Sequence, residues 1–174
     1  MLSYLNCNGA VRKNMTRINL VEVEDLADQH LFAEWREIAR IPTAATKAYN
    51  AYCGINFSEN SSFEYVFGTG HVRFFYNKIA FIKERYDRLT EELLKRNFNI
   101  TIRDSSIFDN VPYPLVRYPW TPSRKEIELS INRISSKLNE KPNWYRYYGE
   151  IKSPSFFIDR YNAQLLIDII APLP

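Results

Sequence analysis

The feature that most constrains this chain is a stripe of six apolar residues, Phe75, Ile79, Ile82, Tyr86, Leu89 and Leu93, separated by alternating steps of four and three. That spacing places all six on one side of a helix of about five turns. Lys83, Glu84, Asp87, Arg88 and Glu91 fall elsewhere on its surface. A helix with one oily side must bury it against other elements, and the chain offers two further candidates. Thr121-Pro122 reads as a hydroxyl cap followed by proline at the first helical position. Ile127, Ile131, Ile134 and Leu138 then repeat the period, and Pro142 stops it. A third helix is expected from Asp25 to Arg40, with Leu26, Ala33 and either Phe32 or Ile38 on its buried side and Pro42 just past its end.

These signals predict an all-α chain: a compact three-helix single domain with long irregular connections. Residues 42–70, with Gly54, Gly68, Gly70 and several Asn and Ser, read as loop. Residues 104–122 carry Pro112, Pro114, Pro119 and Pro122 and read as a rigid irregular connection. Residues 1–14 have no period, and residues 151–174 look like an apolar tail with little helical logic.

Composition narrows the class. At 174 residues, with 45% apolar and 25% charged side chains, the chain has one domain's length and enough hydrocarbon for a core. No apolar run reaches the ~18 residues of a membrane span, and Leu165–Ala171 is broken by Asp168. No basic region followed by an apolar block opens the sequence, so the protein is expected to be intracellular and not secreted. Two cysteines, Cys7 and Cys53, and two histidines argue against a zinc site and a disulfide scaffold. No metal and no cofactor are expected.

The net charge of +3 is unevenly spread. Residues 16–40 carry a balance of −3, whereas residues 71–103 and 117–148 each carry +4. Two basic blocks in a nearly neutral chain are able to present one positive face to phosphate. They are equally able to be solvated helix surfaces.

Few residues suggest chemistry by pattern alone. Glu37 lies between Arg36 and Ile38, with Arg40 one turn on and Glu34 one turn before; His30 shares its helix face. Such a carboxylate among guanidiniums is either a surface ion-pair cluster or a catalytic group. Trp144-Tyr145-Arg146-Tyr147-Tyr148 is either an aromatic plug on a small core or a set of rings for bases to stack on. Both pairs of alternatives stay open on composition and spacing.

The order of these pieces adds a further argument. Met15-Thr16-Arg17-Ile18-Asn19-Leu20, Leu26-Ala27-Asp28-Gln29-His30-Leu31 and Glu34-Trp35-Arg36-Glu37 resemble the opening of the phage-type pyrimidine-dimer DNA glycosylases, the ultraviolet-repair endonuclease V family. Gly68-Thr69-Gly70-His71-Val72-Arg73-Phe74-Phe75-Tyr76 resembles their second block and Leu94-Lys95-Arg96-Asn97-Phe98-Asn99-Ile100 their third. Pro142-Asn143-Trp144-Tyr145-Arg146-Tyr147-Tyr148-Gly149 is similar to their C-terminal aromatic segment. The resemblance runs through residues 15–149 in order.

The resemblance implies a nucleophile and a carboxylate. The α-amine of Thr16, freed by loss of Met15, would attack the deoxyribose C1′ at a cyclobutane pyrimidine dimer. Expulsion of the base leaves an imine, and β-elimination then cuts the strand. An α-amine titrates near ~7.7–8.0, so an appreciable fraction is neutral at physiological pH. Arg17, Arg36 and Arg40 nearby would lower that value further. Glu37 corresponds to the essential carboxylate and would steady the cationic sugar and imine. Arg17, Gln29, His30, Arg36, Arg40, Arg133 and Lys137 would grip the phosphates of a kinked duplex. Trp144, Tyr145 and Tyr147 would fill or flank the bend. His71 matches a family position and is expected to be structural. The implied partner is double-stranded DNA containing pyrimidine dimers, bound by a monomer, with no membrane partner.

The sequence also departs from that pattern. Fourteen residues precede Met15, and if they are retained Thr16 has an amide instead of an amine. The expected organisation is therefore an extension over 1–14 that is not translated or is removed, a glycosylase domain over 15–150, and a tail over 151–174. Residues 41–67 carry only Lys47 against Glu59 and Glu64, which implies weaker electrostatic scanning of undamaged DNA. The rivals to the dimer-specific enzyme are a lyase for other damaged bases or abasic sites, and a non-catalytic binder of distorted DNA.

Overall fold

The computed structural model describes residues 18–51, 64–67, 71–101, 106–117 and 119–170, with side chains as far as residue 166. Residues 1–17, both cysteines and most of the glycine-rich part of the expected 42–70 loop lie outside the described residues.

The three periodic stretches form the helices around which the rest is arranged. Helix α1 spans Asp28–Ile38, α4 spans Ile79–Lys95 and α7 spans Arg124–Glu140. Further helices lie between them: α2 (Ile41–Ala51), as long as α1, and the single turns α3 (His71–Phe74), α5 (Ser106–Asp109) and α6 (Tyr113–Val116). A 3-10 turn at Val23–Asp25 precedes α1. After α7 a two-stranded hairpin, β1 (Arg146–Tyr147) and β2 (Glu150–Ile151), leads into α8 (Pro154–Ile170). No helix among the described residues is long and apolar enough to cross a membrane.

The stripe of α4 is buried as its period demands: Ile79, Ile82, Tyr86, Leu89 and Leu93 all face the core. Phe75 is also fully buried, but it sits in the turn before α4, because Lys78 takes a non-helical conformation and starts the helix. At the other end, Asn97 adopts φ 60, and Phe98 N donates to Leu93 O at 3.0 Å. This is a left-handed helix stop with asparagine in the place glycine usually takes.

Several local expectations change. Helix α7 is capped by Ser123, two residues beyond Thr121. Ser123 Oγ accepts from Glu126 N at 3.4 Å, and Ser123 N donates back to Glu126 Oε2 at 2.7 Å. The reciprocal box satisfies two donors at once, which a lone Thr-Pro cap does not. Pro42 follows the end of α1 but also lies in the first turn of α2, where its missing N–H costs nothing. On α1, Ala33 is exposed, and the buried side is Leu31, Trp35 and Ile38 together with Asp28 and Glu34.

Residues 154–170 are helical, contrary to the expected absence of helix logic. Phe157 and Tyr161, one turn apart, are fully buried against the common core. Apolar residues on nearly every side of α8 hide that period in the sequence.

The hairpin turn needs positive φ at both central residues, and Tyr148 (φ 50) and Gly149 (φ 81) supply it. Asp28, at the start of α1, accepts from Tyr148 N at 3.2 Å and from Gly149 N at 2.8 Å, and it is paired with buried Arg96. One carboxylate thereby fixes the aromatic segment to the beginning of α1.

Candidate active site and nucleic-acid face

Residues 18–22 belong to no helix or strand, so their backbone polar groups must find partners elsewhere. They find side chains. Ile18 N donates to His71 Nε2 at 2.9 Å, and Ile18 O accepts from Tyr65 Oη at 3.1 Å. Leu20 N donates to Ser130 Oγ at 2.9 Å, and Leu20 O accepts from Gln164 Nε2 at 3.3 Å. Val21 O accepts from Arg85 Nη1 at 3.1 Å, and Glu22 N donates to Gln164 Oε1 at 3.0 Å. Helices α3, α4, α7 and α8 therefore each hold this short stretch of backbone. The bond from Ile18 requires an unprotonated His71 Nε2; Nδ1, 3.1 Å from Val66 O, carries the ring proton. Thr16 and Arg17 lie outside the described residues, immediately before this anchored segment.

Two carboxylates one turn apart on α1 face different surroundings. Glu34 is buried in an ion pair with Arg85, whose side chains are 1% and 6% exposed. Asn19 Nδ2 donates to Glu34 Oε2 at 2.6 Å, and Asn19 Oδ1 accepts from Arg133 Nη1 at 3.3 Å. Glu37 lies nearer water, 23% exposed, in an ion pair with Arg40 at 2.9 Å. Glu34 is committed to a closed network, whereas Glu37 stands where a bound molecule is able to reach it.

The remaining expected residues divide by position. Arg36 and Arg40 are exposed on α1, with the Arg36 guanidinium 5.9 Å from the Phe32 ring centre. Arg133 and Lys137 lie one turn apart on α7; Lys137 pairs with Glu140 at 2.7 Å, and Arg133 covers Phe67 at 4.9 Å. Gln29 Nε2 donates to Trp144 O at 2.8 Å, while Gln29 Oε1 accepts from Arg146 N at 3.0 Å. Its carboxamide thus holds the backbone on both sides of Tyr145.

His30 packs against Tyr145 with ring centres 4.6 Å apart. Desolvation, aided by the Arg133 charge, pushes its pKa down to about 3, so the free protein carries it neutral.

The rings of the aromatic segment divide between core and surface. Tyr145 is 6% exposed and plugs the end of the core. Tyr147 is half-buried between the Arg96 and Arg160 guanidiniums, and its hydroxyl donates to Glu24 O at 3.1 Å. Trp144 is 52% exposed, with the Lys141 ammonium 5.1 Å from its ring. Beside Gln29, a cleft of about 560 Å³ is lined by Phe32, Arg96, Phe98, Arg146 and Tyr148. Among the described residues no group of three or more His, Cys, Asp or Glu side chains is placed to hold a metal ion.

A family model described as pyrimidine dimer DNA glycosylase matches residues 15–106, just over half of the chain. The chain belongs to that family. Its glycosylase match covers the anchored segment, the two carboxylates of α1, His71 and all of α4. Arg133, Lys137, the aromatic segment and α8 lie beyond the matched span.

The residues that hold this part of the glycosylase together carry weaker sequence signals. Arg85 sits within the stripe of α4 between Ile82 and Leu89, and a cation there requires a buried partner, which in the structure is Glu34. Ser130, within the apolar stripe of α7, carried a weaker form of the same message. Nothing in the sequence marked Gln164.

Proposed function

We propose that this glycosylase cleaves the N-glycosidic bond at cyclobutane pyrimidine dimers in duplex DNA and then cuts the strand as a lyase. The nucleophile in this proposal is the α-amine of Thr16. It attacks C1′, the bond to the pyrimidine breaks with its electron pair leaving on the base, and loss of the amine proton with ring opening gives an imine. A C2′ proton is then removed, the 3′ C–O bond breaks with its electrons leaving on the phosphate, and hydrolysis of the imine restores the amine. Glu37 steadies the cationic sugar and imine and takes part in moving the C2′ proton. The chemistry requires a chain from which residues 1–14 are absent or removed and Met15 has been cleaved.

The observation that carries this reading is the set of side chains pinning residues 18–22 directly behind Thr16. A flexible terminus reaches a sugar rarely; a terminus whose next residues are fixed meets it in a defined orientation. The family match begins at Met15, one residue before that amine, which supports the same view.

For binding, Arg17, Arg36, Arg40, Arg133 and Lys137 supply cations for phosphates. His30 and Gln29 contribute as neutral hydrogen-bonding groups beside them, and Trp144 presents the exposed ring. Tyr145 packs edge-on against that ring, with centres 5.1 Å apart, and Tyr147 flanks the bend. The dimer is poorly paired, so bending the duplex costs less there than in intact DNA. The protein acts as a monomer.

The test is reduction with borohydride during reaction with dimer-containing duplex, using protein whose N-terminus is Thr16. Covalent trapping is expected. A protein that shifts the duplex in a gel yet forms no adduct is a binder of distorted DNA, and one that traps abasic but not dimer substrate is a lyase of other specificity.

A further inference from the structure

Helix α8 supplies contacts to the segment behind Thr16 from outside both the matched family span and the resemblance over 15–149. Gln164 places its carboxamide against the backbone around Val21. Its nitrogen donates to Leu20 O at 3.3 Å and its oxygen accepts from Glu22 N at 3.0 Å. A side-chain amide has the same donor and acceptor as a peptide group, so Gln164 pairs with this stretch much as a neighbouring strand would. Two further contacts fix the helix that carries it. Arg160 forms an ion pair with Asp25 at 2.6 Å, and Phe157 and Tyr161 are fully buried beneath. The opposite flank of the same backbone is held by Ser130 and Arg85.

We propose that α8 is a clamp on the nucleophile-bearing segment, with Gln164 as the positioning residue that holds Leu20–Glu22 in the register the Thr16 amine needs. The inference rests on the proposed Thr16 chemistry. Gln164 bonds the backbone of Leu20 and Glu22, so in this proposal its effect reaches the reaction through backbone position. It lies on the same side of α8 as Phe157 and Tyr161 and lines an open cleft of about 530 Å³ beside Glu22, Arg88 and Trp120, so a side chain of similar size fits in its place without displacing either ring. Replacing it therefore leaves the helix anchored by Phe157 and Tyr161.

The experiment uses the full chain with a specific protease site placed before Thr16, cut after folding to free the amine. Gln164→Leu, close to isosteric, removes both hydrogen bonds; Gln164→Glu keeps the acceptor for Glu22 N. Three quantities are compared: single-turnover trapping at saturating enzyme, affinity for a duplex carrying a non-reactive abasic analogue, and hydrogen exchange at Glu22 N. Gln164→Leu is expected to slow trapping about tenfold at unchanged affinity, with faster exchange at Glu22, and Gln164→Glu to recover part of the rate. Trapping by Gln164→Leu at the unsubstituted rate overturns the clamp, as does a loss that only follows weaker affinity or a lower Tm. Failure of the cut, unsubstituted protein to trap at all instead removes the Thr16 chemistry and, with it, the purpose assigned to Gln164.

Discussion

The amide of Ile18 donates to the Nε2 of His71 across 2.9 Å, tying the second residue after Thr16 to the start of α3. His71 is 1% exposed and enclosed by Tyr65, Phe67 and Phe75. His71→Phe keeps a ring among those neighbours but leaves the Ile18 N–H buried without its acceptor. A loss of about 1–3 kcal/mol is expected in chemical denaturation. Slower covalent trapping should accompany it, because the released backbone is the one leading to the proposed nucleophile.

Glu34 and Glu37 are expected to respond in opposite ways. Glu37→Gln should bind damaged duplex normally and fail to cut it, and loss of the ion pair with exposed Arg40 should itself cost no more than about 0.5 kcal/mol. Glu34→Gln leaves Arg85 charged and buried, and should cost about 3–5 kcal/mol by urea denaturation. Strand cleavage retained by Glu37→Gln would remove Glu37 from the mechanism.

What the sequence disclosed follows from the range over which each signal acts. The stripe of α4 and that of α7 are local periods, and both stripes are buried as expected. Pro42 and Thr121-Pro122 were ambiguous because proline is as comfortable in a helix's first turn as just outside it. The resemblance brought together Thr16, Glu37 and the basic residues, but it said nothing of how backbone 18–22 is held. Those contacts come from residues 47 to 144 positions away, and no local pattern encodes them. Gln164 is the extreme case, a polar residue on a helix whose own period is masked by apolar neighbours.

His30 gives the site a pH signature. Its folded pKa, about 3, lies below the ordinary histidine value near 6.5. The unfolded chain therefore binds more protons between those limits, and stability rises with pH across them. The stabilisation from neutral His30 is complete above pH ~6.5 and is lost as the pH falls toward 3. Urea midpoints at pH 7.5 and 5.5 should fall further for the unsubstituted protein than for His30→Gln. Equal falls would contradict the assigned burial.

Arg133 and Lys137 separate phosphate binding from scaffold. Lys137→Ala removes one surface cation and should reduce the slope of log affinity against log salt by about 0.9 on undamaged duplex, leaving Tm nearly unchanged. Arg133→Ala should lower the slope similarly and also reduce stability, because Arg133 bonds Asn19 beside Glu34. Titration of binding at several salt concentrations, paired with thermal unfolding, tests both.

The most direct measurement is peptide mapping of the borohydride-reduced adduct by mass spectrometry, with protein whose N-terminus is Thr16. A competing amine exists at Lys78, whose pKa burial pushes down to about 8 and whose ammonium lies 3.9 Å from the Phe74 ring centre. The account predicts that the sugar fragment is attached to the N-terminal peptide, at the nitrogen of Thr16. Attachment at Lys78 or any other lysine, or undiminished strand cleavage by protein with that nitrogen acetylated, would contradict it.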